Sequence, residues 1–241
     1  MPLSLCHTLK MKQHIDRIAK TALYLLCNLT LIFEKDEENV MEHEHNFYGV
    51  NFAPFPHRGV LSSENAHRSM ATMVEATAAN WVILSPSGIQ SDPYSEEINW
   101  NTNATPTDEE LCGAIRFAKQ LGLQVALKPT VNCANGVWRA RISFFDHDVP
   151  CETQWGRWFA SYTAFQTHYA ALAEAEGCGL FLTGCEMTMT EHREAEWRAL
   201  IAAVRQQYHG PVSYNCDKYG EDHVNWWECG RLHRFQRLPT P

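Results

Sequence analysis

Apolar residues in this chain fall into two alternating patterns: short runs rich in β-branched and aromatic residues, and longer stretches in which apolar residues recur every three or four positions. Residues 48–55 predict a first strand, and from Ser62 the spacing of Ala66, Met70, Met73, Val74 and Thr77 predicts a helix. Residues 81–84 repeat the strand pattern and end in Ser85-Pro86-Ser87-Gly88. Thr107 and Glu110 then stand at capping-box spacing before a helix that carries Leu111, Ala114, Ile115 and Ala118 and stops at Gly122. A third strand, 123–127, runs into Lys128-Pro129-Thr130-Val131-Asn132-Cys133. Beyond a loop holding Trp138, Arg139 and Arg141, a helix is expected over 154–176. Its stripe of Trp155, Trp158, Phe159, Tyr162, Phe165, Tyr169 and Leu172 reads as core packing.

The fourth unit is the most informative. Apolar residues 180–182, preceded by Gly177 and Gly179, predict a short buried strand that delivers Glu186 to its end. Thr188 and Glu191, again at capping-box spacing, predict the start of a helix that buries Trp197, Leu200, Ile201, Val204 and Tyr208. Gly210-Pro211 ends that helix. A fifth strand over 212–216 leads to Asn215, Asp217 and Lys218, and a last helical segment holds Val224, Trp226 and Trp227.

Successive strand and helix units imply a parallel α/β architecture, either an open doubly wound sheet or a TIM barrel. A dinucleotide-binding open sheet would show G-x-G-x-x-G after its first strand. This chain has Pro54, Pro56 and a single Gly59 there, with no P-loop elsewhere, which favours the barrel. Parallel barrels do their chemistry at the carboxyl ends of the strands, so Glu186 is the candidate catalytic carboxylate. The competing reading of Glu186 is a helix N-terminal carboxylate favoured by the helix dipole.

Composition narrows the partners. With 241 residues, 45% of them hydrophobic and 20% charged, the chain can bury one sizeable core. Its net charge of −8, with Lys and Arg dispersed among carboxylates, excludes the basic footprint of a nucleic-acid binder; a neutral or polar small substrate fits better. Nine cysteines without a C-x-x-C pair support neither a disulfide framework nor a zinc ribbon, so reduced thiols and a cytoplasmic location are expected. His43 and His45, flanked by Glu42 and Glu44, lie in a polar run read as a solvated linker, and neither a metal nor a cofactor is expected.

The first 45 residues differ in character from the rest. A basic stretch (Lys10, Lys12, Arg17, Lys20) leads into the apolar run 22–33, and an acidic run over 34–44 follows. The apolar run is too short to span a bilayer, is interrupted by Asn28 and Thr30, and has no small-x-small cleavage site after it, so no membrane association is expected. The expected organisation is an extension over 1–45 outside the fold, with synthesis naturally beginning at Met41, a partial barrel over 46–229, and an aberrant tail over 230–241.

Several strings carry a family resemblance: Gly49-Val50-Asn51-Phe52, residues 79–84, Leu127-Lys128-Pro129-Thr130-Val131-Asn132-Cys133, Trp138-Arg139-Ala140, Gly184-Cys185-Glu186-Met187, Thr190-Glu191-His192-Arg193 and residues 214–219. In this order and spacing, from residue 46 to residue 227, the chain resembles glycoside hydrolase family 113, the TIM-barrel β-mannanases and related enzymes of the large retaining glycosidase clan. The resemblance implies hydrolysis of β-mannan or manno-oligosaccharides, with a fourth-strand glutamate as general acid/base and a seventh-strand glutamate as nucleophile. Glu186 matches the first role. The wider clan usually places Asn before the acid/base; here Cys185 stands there. Retaining chemistry needs two carboxylates about 5–5.5 Å apart, one protonated to release the leaving sugar and one ionised to attack the anomeric carbon. Lys128, Asn132, Trp138, Tyr214 and Asn215, at or just after strand ends, are the expected substrate contacts, with Trp138 the candidate for stacking on a pyranose face.

The chain also departs from the family. A complete barrel needs eight units in roughly 250 residues, and this sequence supplies about five from residue 46. The seventh-strand nucleophile has no counterpart, and residues 230–241 carry Arg231, Arg234 and Arg237 without a strand pattern, where the family would continue into a sixth strand ending in Ser-Gly-Tyr. Codons compatible with residues 230–238, read one nucleotide later, can encode such a strand, so a frameshift near Cys229 is expected. The fold expectation is therefore an incomplete (β/α)8 TIM barrel without retaining turnover of its own. Its open edge would favour self-association, and its inward strand faces would lie open to water. The alternative function is a non-catalytic carbohydrate-binding or interaction protein derived from that barrel.

Overall fold

A computed structural model describes residues 47–53, 57–218 and 220–229. Strand β1 (Gly49–Phe52) is followed by α1 (Glu64–Thr77), β2 (Trp81–Leu84), β3 (Ser87–Gln90), α2 (Asp108–Gln120), β4 (Gln124–Leu127) and β5 (Thr130–Cys133). Then come the hairpin β6 (Phe145–Asp146) and β7 (Val149–Pro150), α3 (Glu152–Ala175), β8 (Leu180–Cys185), α4 (Glu194–Gln207) and β9 (Val212–Asn215). Five strands form one parallel sheet in the order β1-β2-β4-β8-β9, with α1, α2, α3 and α4 lying in sequence between successive neighbours. That is the arc of a parallel α/β barrel. Neither β1 nor β9 pairs on its outer side with another described strand.

Pro86 and Pro129 interrupt two of these strands and so create a second layer of pairing. Each lacks an N–H to give to a ladder. Lys128 N–H donates to the Leu84 carbonyl at 2.8 Å and Thr130 N–H to the Pro86 carbonyl at 2.9 Å, after which β3 and β5 pair in parallel beyond the ends of β2 and β4. This extension carries Asn132 and the loop behind it above the carboxyl end of the sheet.

Strand residues alternate between two buried faces, which explains the nearly continuous apolar runs in the sequence. Val82, Leu84, Val125, Leu127, Phe181, Val212 and Tyr214 share one cluster with the helices, where Trp155, Trp158, Phe159, Tyr162, Phe165 and Tyr169 of α3 are all buried. Ile83, Ala126, Leu180 and Leu182 form a separate cluster on the other face. These four are buried, and Phe47, stacked on Trp81 at 4.6 Å between ring centroids, packs against them. The expectation that the inward apolar faces lie open to water is therefore corrected.

The helix starts follow local capping chemistry where tertiary contacts do not intervene. Thr107 Oγ1 accepts from Glu110 N–H at 3.2 Å and Glu110 Oε2 from Thr107 N–H at 2.7 Å, completing the predicted box. The cap of α1 is Ser63 rather than Ser62, its Oγ accepting from Ala66 N–H. The predicted cap at Thr188 does not form. Thr188–Thr190 make a 3-10 turn and α4 begins only at Glu194. Two side-chain bonds decide this: the Trp197 indole, one turn into α4, donates to the Thr190 carbonyl at 3.0 Å, and the Glu191 carboxylate accepts from the distant Tyr214 hydroxyl. The last predicted helical segment is likewise replaced by the 3-10 turns Glu221–His223 and Trp227–Cys229, with the Trp226 ring stacked 4.6 Å from that of Trp197. Residues 1–46 and 230–241, with the expected Met41 start and the expected frameshifted tail, lie outside the described residues.

Candidate active site

Glu186 leaves the end of β8 in an unusual backbone conformation. The pairing of β8 with β9 shifts register between Leu182 and Cys185. Gly184 sits inside this bulge, where a Cβ would lie 2.5 Å from the Tyr162 hydroxyl, so only glycine lets the strand press this closely on α3. Two residues on, Glu186 has φ 53, in the left-handed region that costs a non-glycine residue about 1–2 kcal/mol. The strand next door holds it there. Glu186 N–H donates to the Asn215 carbonyl at 2.7 Å, and Met187 N–H donates to the Tyr214 hydroxyl at 2.8 Å.

The Glu186 side chain stays partly open to solvent and meets two donors from the loop after β5. Trp138 Nε1 donates to Glu186 Oε2 at 3.3 Å, and Arg139 Nη1 lies 3.5 Å from the same oxygen. Arg139 is itself fixed: Nε donates to the Val131 carbonyl at 2.8 Å and Nη2 to Asn132 Oδ1 at 2.7 Å. Asn132 in turn donates to Ser87 Oγ at 3.3 Å. Arg139 was named in that loop but was not among the site residues expected from the sequence. Its position directly after Trp138, in a loop leaving a strand end, was the available signal, because a guanidinium fork is well suited to a carboxylate.

At the neighbouring strand ends, Lys128 is buried and its Nζ donates to Asn215 Oδ1 at 3.2 Å, while Cys185 Sγ lies 3.7 Å from that oxygen. Burial pushes the Cys185 thiol up, so it sits in the site as a neutral thiol rather than a thiolate nucleophile. The structure thus gathers Glu186, Trp138, Asn132, Lys128 and Asn215 at one strand end, with Arg139 linking the first three.

Tyr214 is elsewhere. Alternation along β9 turns it toward the helices, where it is 2% exposed and its ring meets Trp197 edge-on at 5.1 Å. Its hydroxyl donates to Glu191 Oε1 at 2.6 Å. Burial, together with the Glu191 charge, pushes that hydroxyl well above its usual range, so it is a neutral phenol. Glu191 is buried as well; desolvation raises its carboxyl, the bond from Tyr214 opposes that, and among the described residues Oε2 has no hydrogen-bond partner. The expectation that Tyr214 touches substrate is corrected on this geometry: the ring lies behind the site, in the core.

The gathered groups can move a proton. A solvent-accessible carboxyl flanked by an indole N–H and a guanidinium can give a proton to an ether-type oxygen and be stabilised as the carboxylate that results. Trp138, 48% exposed, offers an aromatic face beside it. Among the described residues no three His, Cys, Asp or Glu side chains are grouped to hold a metal ion.

The model of Glycoside Hydrolase Family 113 matches residues 50–232. Among solved structures, one described as a complex of a GH113 beta-1,4-mannanase is 45% identical, with a TM-score of 0.73, over 76% of this chain and 60% of that one. The GH113 beta-mannanase AaManA from Alicyclobacillus acidocaldarius, in complex with ManMIm, is 38% identical, with a TM-score of 0.71, over 76% of this chain and 58% of that one. The chain therefore spans about three fifths of the length of the mannanases it matches. No curated protein matches it.

Proposed function

Because the chain belongs to glycoside hydrolase family 113, we propose that it carries the acid/base half of a retaining glycosidase site for β-1,4-mannan or manno-oligosaccharides. The observation that carries this reading is Glu186, at the carboxyl end of a barrel strand with the Trp138 indole and the Arg139 guanidinium on its carboxylate. Protonated Glu186 gives its proton to the glycosidic oxygen as the bond to the anomeric carbon breaks and a second carboxylate attacks that carbon. Glu186, now ionised beside Arg139, then takes a proton from the water that attacks the glycosyl intermediate. The resemblance assigns no residue of this chain to the second carboxylate.

Trp138 is the aromatic platform for a sugar ring, with its indole N–H holding the acid/base in place. Lys128, Asn132 and Asn215 supply polar groups for sugar hydroxyls. The choice of mannan rests on the solved relatives, which are mannanases. A cytoplasmic location belongs to the same proposal, supported by the free thiols of Cys112, Cys133, Cys151, Cys178, Cys185 and Cys229. The organisation proposed is a partial barrel over 46–229 flanked by an extension and a tail.

The test is calorimetric binding of mannohexaose, with hydrolysis followed in parallel, on the 241-residue chain and its Glu186→Ala variant. The expected result is mannohexaose binding in both proteins and turnover in neither, since double displacement needs a second carboxylate that the resemblance does not assign here. Turnover by the 241-residue chain that Glu186→Ala abolishes would show that another residue here serves as nucleophile, and turnover that persists in Glu186→Ala would remove Glu186 from the role. Failure to bind mannohexaose while binding a cello-oligosaccharide would remove the mannan reading.

A further inference from the structure

The buried Tyr214–Glu191 pair has no part in the proton transfer just described, yet it sits directly behind the residue that performs it. Tyr214 reaches from β9 to two points of a segment 23 and 27 residues before it. Its hydroxyl accepts from Met187 N–H, the amide that follows Glu186, and donates to the Glu191 carboxylate at 2.6 Å. Glu191 lies at the end of the 3-10 turn that replaces the expected helix start, and its own backbone carbonyl accepts from the Trp226 indole at 3.1 Å. The Glu186–Glu191 segment is thus tied at Glu186 N–H to β9, at Met187 N–H to Tyr214, at the Thr190 carbonyl to Trp197, and at the Glu191 carbonyl to Trp226.

A left-handed Glu186 persists only if its surroundings over-determine it. The peptide joining Glu186 to Met187 sets the direction in which the Glu186 side chain leaves the strand, and the Tyr214 hydroxyl is the group that holds this peptide. We infer that Tyr214, braced by Glu191, is a positioning residue that locks Glu186 in its left-handed conformation and so aims its carboxyl into the strand-end site. A hydroxyl held between a backbone donor and a carboxylate acceptor has both roles filled, which fixes its orientation and polarises it as a cooperative chain. Burial of Glu191, which also keeps its second oxygen from water, keeps that acceptor out of competition with solvent.

The inference rests on the reading of Glu186 as acid/base, but its test does not need activity. Glu186-Met187 is the one Glu-Met dipeptide in the sequence, so labelling Glu carbonyls with 13C and Met amides with 15N yields one correlated amide signal that reports this peptide. In Tyr214→Phe, which removes only the hydroxyl, this signal shifts, its amide exchanges about tenfold faster or more, and the Glu186 Cα and Cβ resonances leave the left-handed range. Glu191→Gln, which keeps volume and an acceptor, gives a smaller change in the same direction and reports on the pair even where Tyr214→Phe does not fold.

Tyr208→Phe is the control. Its hydroxyl is another buried tyrosine donor, to the Cys178 carbonyl at 2.6 Å ahead of β8, and its loss lowers the melting temperature without moving the Glu186-Met187 signal. An unmoved signal in both Tyr214→Phe and Glu191→Gln, with only a lower melting temperature, would overturn the inference and leave Tyr214 a core residue. The inference survives a failure of the glycosidase reading if the signal moves while the 241-residue chain binds no mannohexaose. In that case Tyr214 positions Glu186 for a different task.

Discussion

The Trp138 indole nitrogen lies 3.3 Å from Glu186 Oε2, so one side chain both presents an aromatic face to solvent and holds the carboxyl that faces it. Its two functions reside in separate parts of the ring and can be separated by substitution.

Trp138→Ala is expected to weaken mannohexaose binding by about tenfold, because the stacking face is lost. Since the ring is 48% exposed, the stability change should stay within about 0.5 kcal/mol. Calorimetric titration alongside urea melts checks both. Trp138→Phe, which keeps a face and loses the N–H, should recover much of the affinity; equal losses in the two variants would place the indole N–H, rather than the ring, in charge of binding.

At Gly184, an added methyl has nowhere to go: the Tyr162 hydroxyl would be 2.5 Å away, with Tyr214 and Trp197 close behind. Gly184→Ala should destabilise the protein by about 1–3 kcal/mol in denaturant melts. The Tyr162 hydroxyl donates to the Thr183 carbonyl, so Tyr162→Phe carries its own cost, and the informative quantity is the coupling between the two sites. In the Tyr162→Phe background Gly184→Ala should cost less; strict additivity would show that the clash lies elsewhere.

Burial raises the Glu191 carboxyl above its usual range, with the Tyr214 bond as the leading opposing influence. The folded protein therefore holds this proton where the unfolded chain has already released it. The associated stability is complete below the unfolded carboxylate range and is lost as pH rises through the folded value. Relative to Glu191→Gln, the unsubstituted protein should lose stability in the pH window that opens above the ordinary glutamate value of about 4.3. Urea melts of both across that window decide it, and parallel pH profiles would contradict the assignment.

The sheet offers unpaired outer edges at β1 and β9 among the described residues, although its inward apolar side chains are buried. Edge pairing rather than apolar contact is thus the route by which copies would associate. Size-exclusion chromatography over a range of concentrations should show concentration-dependent oligomers that persist in salt; a monomer at all concentrations would exclude it.

The strands, the helices and the place of Glu186 were legible along the chain because they follow from local rules. Buried parallel strands produce apolar runs such as 81–84. A helix packed on one face produces a stripe such as Trp155 to Tyr169, and the Thr107 and Glu110 box needs no partner beyond its own turn. Glu186 was visible for the same reason, since it ends a strand. What the sequence could not decide was settled by contacts between distant residues. Thr188 and Glu191 have the spacing of a cap, but Tyr214 and Trp197 hold that segment in a tighter turn. Arg139 reaches Glu186 only because β5 carries its loop over the strand ends. Tyr214 and Asn215 are adjacent letters with equal claims on a substrate, and it is the pleat of β9 that sends Asn215 to Lys128 and turns Tyr214 into the core.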